Sequence, residues 1–305
     1  MRPLAVVSLA PGMERIDIGG LELRALSVGG LETCHWVPRW RLAFDIGRCP
    51  LEVVDCRTLL FTHAHMDHLG GIAYHAATRS LRKLQTPVYV VPHHAVEDLG
   101  MLFEAWRRLD RSDMPHELVP LGPGEEHRLA NGLVARPFRS PHSAPCQGYA
   151  LWSKKEKLLP ELRGLAGPEL ARLRREGVRI SATLETPELV FTGDTRIEVV
   201  EQEDVVRRAR VLVIECTFVD DRVSVEEARS KGHVHLDEIA ARAELFQNEA
   251  ILLTHFSARY RAHEVRAALD AKLPPALRAR VTPLLGAHER RGADAGSVPD
   301  EVEAR

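Results

Sequence analysis

Short apolar blocks, bounded by Gly and Pro, set the reading of most of this chain. Leu4 to Leu9 and Leu21 to Val28 predict strands separated by Pro11-Gly12 and Gly19-Gly20. Arg41 to Gly47 predicts a buried strand ending in an acid and a glycine, with Asp45 given no more than a turn-capping role, and Thr58 to Thr62 predicts another. Gly70 to Leu84 then reads as a helix, Pro87 to Val91 as a β-branched strand, and Ala95 to Leu109 as a helix. In that last helix Val96, Leu99, Leu102, Phe103 and Trp106 form a core-facing stripe. Gly122-Pro123-Gly124 and Asn131-Gly132 mark turns. Strands follow at Leu133 to Phe138 and Gln147 to Trp152, with His142 in the loop between them.

The second half alternates in the same way. Strands are predicted at Glu188 to Thr192, Arg210 to Ile214 and Ala250 to Thr254, and helices at Leu236 to Gln247 and Ala262 to Ala271. From Gly286 onward the chain is polar and aperiodic, which predicts a disordered tail over 286–305. Strands alternating with helices across 305 residues suit one large α/β domain, taken as residues 1–285.

Composition narrows the class. The formal net charge is −2, so a polyanionic partner would have to meet a local patch. One segment provides it: between Lys154 and Arg179 stand Lys154, Lys155, Lys157, Arg163, Arg172, Arg174, Arg175 and Arg179 against Glu156, Glu161, Glu169 and Glu176. Pro168 at the start, Leu170 and Leu173 on one face and Gly177 at the end describe a short basic helix. It is either a solvated surface helix or an arm that neutralises phosphates. Cys34, Cys49, Cys56, Cys146 and Cys216 are scattered and odd in number, which predicts reduced thiols in a cytoplasmic compartment. Neither a secretory signal nor an apolar run of membrane-spanning length is expected.

The candidate chemistry begins at Phe61-Thr62-His63-Ala64-His65-Met66-Asp67-His68-Leu69-Gly70-Gly71. Three imidazoles and a carboxylate in the loop after a strand predict half of a two-metal site. Nitrogen and oxygen donors without cysteine suit zinc, with manganese or iron as further choices, and argue against a closed zinc finger. Further on, His142, Asp194 in Gly193-Asp194-Thr195 and His255 each follow or join predicted strands in the same manner. With the cluster they make seven donors, the number two four- to five-coordinate ions need when they share a water.

Taken together, the His-x-His-x-Asp-His cluster, the later His, the Gly-Asp-Thr aspartate and the strand-ending His resemble the metallo-β-lactamase superfamily. Phe191 to Thr195, Ile214-Glu215-Cys216-Thr217-Phe218, Gly232-His233 and Leu253 to Tyr260 resemble, more narrowly, the ribonuclease Z family of tRNA 3′-processing endonucleases. The likeness runs over roughly residues 20 to 285. Leu26 to Thr33 with Phe44 to Pro50 is closest to the short, plant-type branch.

The resemblance implies an αβ/βα sandwich, two facing mixed sheets with helices outside and metals at one edge. It implies that His63, His65 and His142 hold one zinc, that Asp67, His68 and His255 hold the other, and that Asp194 bridges them. Asp67 would orient the attacking water and accept its proton, while His233, held by Glu215, would protonate the ribose 3′-oxygen as it leaves. His235 receives no role beyond a structural one. Ser257, Arg259 and Tyr260 either shape the pocket or contact phosphate. The basic segment 154–179 stands where the family inserts its tRNA-gripping arm, in a shortened form with Gly164 to Leu170 matching the glycine-proline part. A homodimer acting on precursor tRNA is implied by resemblance alone. Two other readings stand beside this one: a hydrolase of the same fold acting on small phosphodiesters or thioesters, and a non-catalytic RNA-binding relative, which would have no use for the full donor set.

Overall fold

The computed structural model describes residues 12–294, so the strand expected at Leu4 to Leu9 lies outside them. Alternation sets the first two strands: Ile16, Ile18, Leu21, Leu23 and Ala25 are buried while Arg15 and Asp17 face solvent. β1 (Glu14–Ile18), β2 (Leu21–Val28), β3 (Glu32–Val37) and β4 (Leu42–Phe44) pair antiparallel in turn. β5 (Thr58–Leu60), β6 (Val88–Val91) and β7 (Glu117–Pro120) extend the sheet in parallel. The second sheet repeats this plan. β8 (His127–Arg128), β9 (Val134–Ser140), β10 (Cys146–Leu158) and β11 (Ser181–Phe191) run antiparallel, and β12 (Val211–Glu215), β13 (Ala250–Thr254) and β14 (Val281–Pro283) follow in parallel. Each sheet has seven strands in sequence order.

Helices cover the outer faces. α1 (Met66–Leu69), α2 (Ile72–Leu81) and α3 (Val96–Asp110) belong to the first half. α4 (Gly167–Arg175) lies in the connection from β10 to β11. α5 (Glu198–Gln202), α6 (Asp204–Arg208), α7 (Val225–Lys231), α8 (Leu236–Ala241), α9 (Ala262–Lys272), α10 (Pro275–Arg278) and α11 (Gly286–Asp294) complete the second half. Between the sheets, Phe44, Leu60 and Val90 pack with Tyr149, Phe191, Val213 and Leu252. Outside, Ile72, Leu99 and Phe103 pack with Leu59 and Tyr89, while Val199, Ile239, Val265 and Leu269 pack with Leu212 and Ile251. This is the expected αβ/βα sandwich. Its parallel strands are short, apolar and covered on both faces, which is how such strands read in sequence.

The structure corrects four expectations. The helix expected over Gly70 to Leu84 is α2, and the loop expected before it already turns helical at α1, which carries Asp67 and His68 and is separated from α2 by Gly70-Gly71. On α3 only Leu99 and Phe103 are buried, while Leu102 and Trp106 are 37% and 44% exposed; periodicity identifies a face, not how far along it the sheet reaches. The helix expected to reach Gln247 stops at Ala241, followed by a single 3-10 turn at Ala243–Leu245. The tail expected to begin at Gly286 starts instead with α11. Its Ala287 packs with Leu26 and Val28, the His288 Nδ1–H donates to the Tyr260 carbonyl at 2.9 Å, and Glu14 accepts the Gly286 N–H. Tertiary partners hold a segment too short and too polar to stand as a helix alone.

Candidate metal centre and its acid

The C-terminal ends of the parallel strands converge at one edge of the sandwich. His63 follows β5, Asp194 follows β11, Glu215 ends β12 and His255 follows β13, while His142 sits in the β9–β10 loop. Polar side chains from both sheets therefore meet there, as in other open α/β arrangements. His255 takes the left-handed backbone conformation at φ 61°, as does Asp45 at φ 52°, a costly state for residues with a Cβ that clusters at functional sites. Gly193 supplies φ 61° where a Cβ would stand 2.7 Å from the Thr62 Cβ, and Gly232 passes so close to the His142 loop that a Cβ would lie 2.6 Å from the Ser143 nitrogen.

All seven expected donors come together, in two groups: His63, His65, His142 and Asp194, and Asp67, His68 and His255; a third group, Asp194, His233 and His255, brings His233 up against them. Asp194 touches both of the first two. Its Oδ2 lies 3.8 Å from His63 Nε2 and 4.0 Å from His142 Nε2. Its Oδ1 lies 3.2 Å from His68 Nε2 and 3.4 Å from His255 Nε2. Asp67 Oδ2 lies 3.4 Å from His255 Nε2 and 3.6 Å from His68 Nε2, and the His65 Nδ1 to His142 Nε2 distance is 3.5 Å. Donors at about 2.0–2.2 Å from a common tetrahedral ion stand about 3.3–3.6 Å apart, so the spacings fit metal coordination. His63 Nε2 and His68 Nε2 are buried without a hydrogen-bond partner, which leaves each lone pair or proton for a cation to satisfy or displace. The residues present fit a metal ion, with no rearrangement of the fold needed.

The imidazoles are aimed by their other nitrogens. Thr62 donates its hydroxyl to Asp45 Oδ2 at 2.9 Å, so the His63 Nδ1–H donates to Thr62 Oγ1 at 3.0 Å. The His68 Nδ1–H donates to the same Asp45 oxygen at 2.8 Å, and the His142 Nδ1–H to the Gly232 carbonyl at 2.8 Å. Such partners fix tautomer and orientation. Asp45 is thus a fully buried carboxyl group serving one donor from each group, with burial raising its pKa against the opposing pull of His68 and Thr62, a role its place after a strand did not reveal.

Electrostatics follow from this crowding. Burial, aided by the charge of His68, holds His63 well below the ordinary imidazole range, and burial also lowers His65 and His142. Burial opposes ionisation of Asp194, but His255 and His68 outweigh it and keep the carboxyl well below its usual range. Asp67 is likewise lowered against burial, by His255 and His68. Most of the set thus leans to neutral imidazole and ionised carboxylate, the forms that bind a cation. His68 is the exception: Asp194 and Asp45 outweigh burial and raise it, a proton a metal ion would displace.

His233 borders both groups, its ring centroid 5.1 Å from that of His142 and 5.3 Å from that of His255. Its Nδ1–H donates to Glu215 Oε1 at 2.8 Å. Burial lowers the affinity of this ring for a proton, but the Glu215 carboxylate more than compensates and raises its pKa to about 9. His235, by contrast, caps α8: its Nδ1 accepts the Asp237 N–H at 3.2 Å and its Nε2–H donates to the Asp220 carbonyl. Tyr260 is buried, and its hydroxyl accepts the Val219 N–H. Ser257 bridges to Gly29, and exposed Arg259 donates to the Ser257 hydroxyl at 3.2 Å.

The basic segment is built differently from the expectation. Strands β10 and β11 outrun their neighbours, because β9 pairs only as far as Trp152 and β12 only from Leu189. Ser153 to Leu158 and Ser181 to Thr186 therefore form a two-stranded extension tipped by α4. Lys154, Lys155 and Lys157 lie on a strand, while Arg172, Arg174 and Arg175 lie on α4 as expected. A run of Lys and Glu in one strand, and polar residues broken only by Ala182 and Leu184 in the other, concealed these strands. Lys154 is tied to Glu185 at 3.0 Å and Arg172 to Glu176 at 3.5 Å. Lys157, Arg163 and Arg174 hold no ion pair among the described residues and face solvent.

Comparison with known proteins places this arrangement. Residues 45–256 match the family model of the beta-lactamase superfamily domain. The chain is 46% identical over 269 residues to tRNase Z TRZ1 of Arabidopsis thaliana, spanning 87% of this chain and 95% of that one. It is 39% identical over 272 residues to the chloroplastic tRNase Z TRZ2 of the same plant, spanning 88% and 76%. Among solved structures, the metallo-β-lactamase fold protein YhfI from Bacillus subtilis superposes with a TM-score of 0.54 at 14% identity, covering 87% of this chain and 90% of that one, a likeness of fold.

Proposed function

Because this chain belongs to the β-lactamase superfamily and, within it, to the tRNase Z family, we propose that it is a metal-dependent endoribonuclease that removes the 3′ trailer of precursor tRNA and leaves a 3′-hydroxyl on the tRNA. The observation that carries the reading is Asp194, which turns one carboxylate oxygen to each of two donor groups. Zinc suits these nitrogen and oxygen donors best, with manganese or iron as alternatives. One ion would be held by His63, His65, His142 and Asp194, the other by Asp67, His68, His255 and Asp194. Bound there, the ions supply a water acidic enough to attack at neutral pH and positive charge for the phosphoryl oxygens. Metal analysis of active protein is expected to approach two transition-metal ions per chain, and a reproducible single ion in a fully active preparation overturns the dinuclear arrangement.

The chain's own residues orient the reaction. The Gly30 N–H donates to Asp67 Oδ2 at 3.0 Å and fixes the carboxylate that aligns the attacking water and takes up its proton. His233 protonates the leaving ribose oxygen. The Glu215 carboxylate on its Nδ1–H favours the protonated ring that this role needs. His233→Ala is expected to slow RNA cleavage by about 10²–10⁴-fold and to affect a p-nitrophenyl phosphodiester far less, because that leaving group needs no proton. Equal rates for mutant and wild type on RNA remove His233 from the mechanism.

The extension 154–179 is the tRNA-binding arm of this reading, and its exposed bases favour RNA over a small phosphodiester or thioester as substrate. The enzyme works as a homodimer. Tyr74 and Leu81 on α2 and Met101, Leu102, Trp106 and Leu109 on α3 stand exposed, apolar surface of the kind a second copy covers. Among the described residues no helix is long and apolar enough to cross a membrane, and all five cysteines are free thiols, for which a reducing cytoplasm is the natural compartment.

A further inference from the structure

At the end of β12, Glu215 and Thr217 are two residues apart, the strand spacing that turns two side chains to one face, whereas Cys216 between them points into the core. Thr217 is 4% exposed. Its hydroxyl has one proton, and that proton goes to Glu215 Oε2 at 2.5 Å. Only lone pairs remain for His255 Nδ1, 2.9 Å away, so His255 must donate through Nδ1, which leaves Nε2 as the nitrogen a metal ion can take. That nitrogen is the one facing Asp67 and Asp194. The other oxygen of Glu215 receives the His233 Nδ1–H and the Thr195 N–H, each at 2.8 Å. The hydrogen bonds thus run from His255 to Thr217 to Glu215 and, from the opposite side, from His233 to Glu215. The first half of the chain holds the same arrangement, in which His63 donates to Thr62, Thr62 to Asp45, and His68 to Asp45.

We propose that Thr217 is a positioning residue whose single hydroxyl fixes the metal-binding tautomer of His255 and locks the carboxylate that orients His233, so that one side chain governs both metal affinity and acid catalysis. This rests on reading His255 as a metal donor and His233 as the acid. Three readouts on the full chain test it: zinc affinity by chelator competition, cleavage rate on precursor tRNA, and the His255 imidazole tautomer by ¹⁵N resonance in metal-free wild type and Thr217→Val.

Thr217→Val keeps the shape and removes the hydroxyl. It is expected to weaken zinc binding by about 10–100-fold and to lower the rate at saturating RNA, while Thr217→Ser, which keeps the hydroxyl, restores both. Wild-type zinc affinity in a folded Thr217→Val, or no restoration by Thr217→Ser, overturns the proposal. In the metal-free protein, an Nδ1–H tautomer of His255 that is lost in Thr217→Val supports the relay, and the same tautomer in wild type and variant overturns it. The zinc and tautomer readouts use no RNA, so a wild type that fails to cut precursor tRNA while both hold sinks the substrate assignment and leaves the relay standing.

Discussion

Asp67→Ala is expected to lower turnover of precursor tRNA by about 10³-fold or more while RNA binding changes little. The carboxylate has two tasks in one place. In the proposed function it joins the donor group containing His68 and His255, and, held by the Gly30 N–H, it takes up the proton of the attacking water. Losing a positioned proton acceptor costs on the order of 10²–10⁴-fold, and losing a metal donor adds to that. In the proposed function, affinity for RNA rests on other residues, the exposed Lys and Arg of the β10–β11 extension. Single-turnover cleavage and filter binding on the same preparation separate the two quantities. Parallel losses in both would mark Asp67 as a structural residue.

Deletion of residues 155 to 178 has the opposite signature. Joining Lys154 to Arg179 removes the paired extension and α4 but leaves the root of the hairpin, where Arg136 bridges Glu126 and Glu185 at 2.8 Å and lies over Trp152. Precursor tRNA cleavage is expected to fall by on the order of 10²-fold or more in kcat/KM, since each lost phosphate contact removes counterion release. Hydrolysis of a small chromogenic phosphodiester should stay near wild type. If the arm of one subunit serves the site of its partner, mixing this deletion with Asp67→Ala restores cleavage, because one mixed dimer site has both an intact carboxylate and a reaching arm. Equal loss or equal retention of both activities in the deletion alone argues against an RNA-gripping arm and for a small-molecule hydrolase.

The metal donors were legible in the sequence because they carry spacing: His63, His65, Asp67 and His68 fall within six positions, and His142, Asp194 and His255 complete a known count. The residues behind them were not. Asp45, Thr62 and Thr217 act through single hydrogen bonds to a donor's far nitrogen, and a lone Asp or Thr after a strand looks the same whether it does this or caps a turn. The predicted ranges match β2, β5, β6, β9, β12 and β13 closely, whereas β1, β3, β7 and β14 have no predicted counterpart because each is short or interrupted by charged and polar residues. The outer halves of β10 and β11 were missed because Lys, Glu and Thr predominate there with solvent on both faces. Helix α11 was missed for the converse reason, since contacts to Glu14, Tyr260 and Leu26 hold it in place rather than periodicity of its own.

The central claim is water-driven cleavage at the tRNA–trailer junction, and mapping both product ends after incubation of the zinc-loaded protein with a labelled precursor tRNA tests it most directly. The account predicts a tRNA ending in a 3′-hydroxyl and a trailer beginning with a 5′-phosphate. An intact precursor alongside rapid hydrolysis of a small phosphodiester, or a 2′,3′-cyclic phosphate at the cut, would contradict it.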